Sequence, residues 1–178
     1  MSRMGTTLRK FVLTSHVVVS LGWFGGAAAV LALAVAGLVT ADSAVASSVY
    51  LGTEVIWRFV IIPLSLGALL TGLIQAFGTE WGLFRHSWVL AKFVITVGAV
   101  LLLLLHTNSL LPSLARAAID RSGFMVDGHA HGHGGIPPRI HLVVAAGGTL
   151  LLLIATTALA VYKPWGRTPF GRRPPEGV

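Results

Sequence analysis

Seven histidines are spread along the chain, and three of them, His16, His106 and His141, sit inside long apolar runs. A titratable side chain at hydrocarbon depth is costly unless something there uses it, so each is a functional-site candidate by default. His129, His131 and His133 form a different pattern. With Asp127 and Met125 they alternate with small residues in the stretch DGHAHGHGG, which lets several imidazoles reach one ion, chemistry suited to copper, zinc or nickel.

The buried histidines invite another ligand chemistry. Structural zinc usually takes four protein ligands, more than an intramembrane histidine pair supplies, whereas haem needs one or two axial ligands. The chain has no cysteine, which removes disulfides, thiolate metal sites and iron–sulfur clusters together. b-type haem is the expectation, with His106, His141 and His16 as cofactor-binding residues. Lys92 is close to four turns before His106 on the same helical face. It can also snorkel back to the headgroups without any function.

The elements that position these residues are read from hydropathy. The chain is 54% hydrophobic and 11% charged, with mean hydropathy +0.82, against roughly 25% charged residues in a soluble domain. Stretches of about 20 apolar residues match a hydrocarbon core of ~30 Å. Four such stretches occur, at about 12–40, 50–77, 87–111 and 138–162. The expected fold is therefore all-α, a four-transmembrane-helix bundle over residues 1–163. An external His-rich loop, 112–136, and a disordered, basic tail, 164–178, complete the organisation.

The net charge of +7 does not indicate nucleic-acid binding, because the basic residues flank spans instead of covering one face. Arg3, Arg9 and Lys10 precede the first span, Arg85 lies between the second and third, and Lys163, Arg167, Arg172 and Arg173 follow the fourth. By the positive-inside rule both termini are cytoplasmic. The first apolar run exceeds a signal-peptide core of about 7 to 15 residues, so it is expected to be retained as a helix. Arginine over lysine and abundant Ala and Gly fit a bacterial cytoplasmic membrane.

Within the first span, Gly22 and Gly26 are spaced to let a neighbouring backbone approach. His16, Ser20 and Trp23 project from nearly the same side. Glu54 and Arg58 form an i, i+4 pair expected at the outer interface. Pro63 should bend the second helix, whose Gly67, Thr71 and Gln75 continue one line toward the bundle. Trp81, Phe84, His86 and Trp88 surround a short cytoplasmic turn. His106 and His141 lie at similar depth, roughly 6 to 8 Å below the external surface, on sequential helices that should be antiparallel neighbours.

The segment 16–26, HVVVSLGWFGG, resembles the opening helix of the CopD-like membrane proteins and the related HemJ-type protoporphyrinogen oxidases. The likeness continues through Thr71-Gly72-Leu73, Gly82, Trp88, Lys92 and Asn108 to Pro112. It implies a helical membrane fold, haem b held through His16, and dependence on Lys92. The CopD side of the resemblance implies copper uptake, which suits His129, His131 and His133. The longer outer loop and His141 depart from the HemJ pattern.

Three readings remain. In the first, the protein is a membrane haem protein passing electrons within the bilayer between a quinone-type carrier and another redox partner; His106 and His141 ligate one haem and His16 a second. In the next, the outer histidines capture copper or zinc for uptake. In the last, the histidines are packing residues of a structural subunit. Membrane lipids are partners in all three, oligomers are compatible with each, and no residue is assigned a catalytic role. A membrane oxidoreductase is one form the first could take.

Overall fold

A computed structural model describes residues 4–78, 86–119 and 138–163, and its elements are helices throughout. Helix α1 (Thr6–Val39) is built from Ala, Leu, Val and Gly with no proline to break its ladder, and ends where Thr40 turns extended at φ −74° and ψ 137°. Helix α2 (Ser43–Ile56) follows after a tight connection. Its first turn is closed by Asp42, whose Oδ1 accepts from the backbone N–H of Ala44 at 2.8 Å and of Val45 at 3.3 Å. Such a cap contributes about 1 kcal/mol.

The expected bend at Pro63 takes the form of a π-helical turn, Trp57–Ile61, which joins α2 to α3 (Ile62–Gly78). Proline has no N–H and its ring crowds the carbonyl four residues back. One extra residue in the preceding turn accommodates this: the N–H of Ile62 bonds to the carbonyl of Trp57, five residues earlier. The two helices and the turn thus form one apolar span, Ala44–Gly78.

Helix α4 (Ser87–Ile119) extends beyond Pro112, through SLARAAI, a sequence of good helix formers. Helix α5 (Pro138–Tyr162) has proline in its first position, where no intrahelical donor is lost. Thr6–Val39, Ala44–Gly78, Ser87–Leu105 and Ile140–Tyr162 are each long and apolar enough to cross a membrane. Leu21, Phe59 and Leu151 are 66%, 71% and 69% exposed. Apolar surface on that scale is stable against lipid and not against water.

α1 packs on α2, α3 and α5, and α4 fills the remaining side against α2, α3 and α5. The core runs through the middle of the bundle, with Trp23, Val30, Tyr50, Trp57, Leu103 and Leu142 all buried. Close approach of α1 to the second span depends on the glycines read from the sequence. A Cβ on Gly26 would lie 3.2 Å from Ile61 Cγ1, and one on Gly22 would lie 2.8 Å from Leu64 Cδ1. At one end Met4 rests against Gly78, and Lys163 reaches Trp88. The first and last described residues therefore share that end.

Candidate functional site

His16 is the intramembrane histidine whose surroundings are most fully described. It is half-buried on α1, and its Nδ1 lies 2.9 Å from Thr71 Oγ1 on α3. The Thr71 hydroxyl has one proton, and the Gly67 and Ala68 carbonyls stand 2.7 and 3.3 Å away to accept it. With the hydroxyl donating there, its oxygen accepts from His16, which places the ring proton on Nδ1. The Ala68 carbonyl, which can only accept, is also within the imidazole's reach. In the tautomer with the proton on Nδ1, Nε2 holds the ring's lone pair.

Local sequence explains the fit. Threonine in a helix returns its hydroxyl to the carbonyl a turn back, which leaves an oxygen lone pair facing outward. Gly72 follows, and a Cβ there would stand 3.2 Å from His16 Cε1, so glycine leaves the space the ring occupies. One turn nearer the helix end, Gln75 donates through Nε2 to the Val12 carbonyl at 3.3 Å. Gly67 packs on Val19 at the next level up. The expected inward line of Gly67, Thr71 and Gln75 thus faces α1 along its length.

Lys92 brings a charge to the same place from α4. It is half-buried and close enough to His16 for their charges to interact. The helix register agrees independently. Trp57 Nε1 donates to Thr107 Oγ1 at 2.8 Å, and Val30 and Trp57 line a common gap. Counting back along α4 and α1 from that level puts residue 92 beside residue 16, about 22 Å toward the first end. Neither an ion pair nor a hydrogen bond engages the Lys92 ammonium among the described residues. The described carboxylates, Asp42 and Glu54, belong to the opposite end.

The outer histidines are placed less fully. His141 is half-buried, next to the fully buried Leu142. Of His106 only the backbone is described, on α4, so the expected meeting of the two rings lies outside the described side chains. The backbone register does bring their levels together, since Leu103 and Ala146 line the same gap and both histidines are about one turn further out. His129, His131 and His133 lie outside the described residues, and among those described no three His, Asp or Glu side chains converge as a metal site.

Among the described residues one gap lies at mid-bundle. The gap bounded by Ala27, Val30, Trp57, Ile61, Leu103, Ala146 and Thr149 has no room for a water molecule. Trp23, 2% exposed, leaves its indole N–H without an acceptor among the described residues of that apolar core. Glu54 and Arg58 form the expected i, i+4 pair, 2.9 Å between Oε1 and Nη2, on the surface.

Sequence reasoning placed Thr71 on the bundle side without naming it as the partner of His16, and did not find the bond between Trp57 and Thr107. Depth was the usable signal for the first: Thr71 is about as far from the end of its span as His16 is from the start of α1. Compared with known proteins, the chain matches no family model, no curated protein and no solved structure.

Proposed function

We propose that the chain is a multi-pass protein of a bacterial cytoplasmic membrane, with both termini cytoplasmic, that binds b-type haem through His16 and takes part in electron transfer within the bilayer. The observation that carries this reading is the 2.9 Å contact of His16 Nδ1 with Thr71 Oγ1, which, with Nδ1–H donating, leaves the Nε2 lone pair for a ligand. Metal-ligating histidines are held in this way, the second ring nitrogen fixed by a hydrogen bond that sets orientation and basicity.

The donor set fits one axial imidazole. A porphyrin needs a slot of several hundred Å³; the mid-bundle gap has no such room, and His16 stands half-exposed at the flank. Lys92 complements a cofactor carboxylate there, because an ammonium half-buried among apolar helices is stabilised by a nearby anion. A bound haem would supply one-electron exchange between ferric and ferrous iron. The chain's own part is to fix the imidazole, to supply the compensating cation, and to surround both with a low-dielectric shell that tunes the potential. The resemblance to HemJ-type proteins, carried by segment 16–26 and continuing through Lys92, points to the same two residues.

The test is the absorption spectrum of the purified protein in detergent, before and after dithionite. The wild type should show a Soret band that shifts on reduction, and His16→Ala should lose it while His106→Ala and His141→Ala keep it. Loss in the latter two alone moves the iron to the outer pair. A colourless wild type that titrates with copper refutes the haem reading and favours metal capture by the outer histidines.

A further inference from the structure

A second grouping of side chains, independent of His16, lies at the rim where α4 begins. Lys163 follows directly on α5 with φ 45°, and no other described non-glycine residue has a positive φ. Glycine is favoured at such a helix end because a Cβ is crowded there. A lysine is retained nonetheless, and its ammonium stands 6.0 Å from the centroid of the Trp88 ring. That ring is 6.3 Å from the His86 imidazole, tilted by 54°.

Cation and imidazole thus both flank the Trp88 indole at the rim, Lys163 just after α5 and His86 just before α4. The other charged residues described toward this end, Arg9, Lys10 and Lys92, are also cations, whereas the described carboxylates stand at the far end. A phosphate monoanion is the ligand this field attracts, and lysine and imidazole N–H groups are its usual donors. Above the cluster, Val161, Ile154 and Leu151 are 70%, 52% and 69% exposed on one side of α5. An apolar track that starts at a cationic headgroup site matches an acyl chain under its phosphate, and not a free anion.

We propose that Lys163, Trp88 and His86 form a docking site for the phosphate headgroup of an anionic glycerophospholipid. The experiment is retention of lipid by the detergent-purified full chain, read by native mass spectrometry after exchange from nanodiscs of phosphatidylglycerol or of phosphatidylcholine with matched chains. The wild type should retain phosphatidylglycerol several-fold over phosphatidylcholine. Lys163→Gln and Trp88→Leu should each erase the preference, and Arg58→Ala at the opposite rim should keep it.

Lys163→Gly separates a docking role from a structural one. Relief of the left-handed backbone should hold or raise the thermal midpoint in lipid-free detergent while lipid retention falls. A fall in both assigns Lys163 to packing and overturns the proposal, as does equal retention of the two lipids. Displacement of the lipid by millimolar inorganic phosphate would overturn the commitment to a lipid ligand.

Discussion

At the scale of single residues, the tautomer of His16 rests on one hydroxyl, and that makes Thr71 the sharpest probe of the site. Thr71→Val keeps the shape and removes the acceptor. The helix itself loses little, since the Gly67 carbonyl remains in its ladder, and interhelical hydrogen bonds in membranes average only about 0.6 kcal/mol. Stability should therefore change by less than about 1 kcal/mol, while haem affinity falls by roughly 10- to 100-fold, the range found for lost partners of ligating histidines. Thr71→Ser should restore it. Haem titration followed at the Soret band reads both variants, and equal affinity in Thr71→Val would show that the hydroxyl only packs the ring. Lys92 gives a complementary expectation. Lys92→Met retains the apolar stem and removes the charge, so it should weaken haem binding and shift the midpoint potential, with Lys92→Arg close to wild type; redox titration decides. A neutral Lys92→Met phenotype would mean that the ammonium merely snorkels.

At the scale of elements, the glycines of α1 separate distance from consequence. A Cβ on Gly22 would stand closer to its neighbour, 2.8 Å from Leu64 Cδ1, than one on Gly26, 3.2 Å from Ile61 Cγ1. Yet Leu64 is half-buried and offers the end of a flexible side chain, whereas Ile61 is 2% exposed and locked in the core at the π-helical turn. Gly26→Ala should thus cost more, about 1 to 3 kcal/mol by the usual scale of overpacking, and Gly22→Ala less than 1 kcal/mol, measured by steric-trapping or chemical unfolding in micelles. The reverse order would place the rigid wall at Leu64. These helices were legible in the sequence because hydropathy, Gly spacing and Pro63 are local signals. The π-helical turn was not, since proline states that the ladder must break and leaves open whether a kink or a widened turn absorbs the break. The site was half legible: apolar surroundings singled out His16 and Lys92. Their common level required the register of three helices, which one sequence does not carry. Trp57 and Thr107 show the same limit, being ordinary residues until two spans are set side by side.

At the scale of the whole molecule, the helices are longer than the membrane they are suited to cross. α1 has 34 residues, about 51 Å at 1.5 Å per residue, against a hydrocarbon thickness of ~30 Å. Charge is the guide to placing the bilayer. Arg9 and Lys10 ring one end, and Glu54 and Arg58 stand at the level of Val30, since Val30 and Trp57 line one gap; the two collars are roughly 30 Å apart along α1. On that placement the segment of α1 beyond Val30, with the facing part of α2, passes through the headgroup layer as a hairpin held by Gly37 against Tyr50 and capped by Asp42. A chain without cysteine allows a clean test by single-cysteine labelling in sealed inner-membrane vesicles and intact cells. Val39→Cys, at a site 76% exposed and about 13 Å beyond the outer collar, should react with a membrane-impermeant maleimide from outside. Leu21→Cys, at a site 66% exposed but midway between the collars, should stay unlabelled from either side. Lys163→Cys should react only from the cytoplasmic face. A protected Val39→Cys would mean that the slab is centred nearer the α1–α2 turn, or that the helices tilt enough to bury the hairpin. His16 would then lie in the headgroups, where an imidazole is solvated at no cost and the reason for reading it as a ligand disappears.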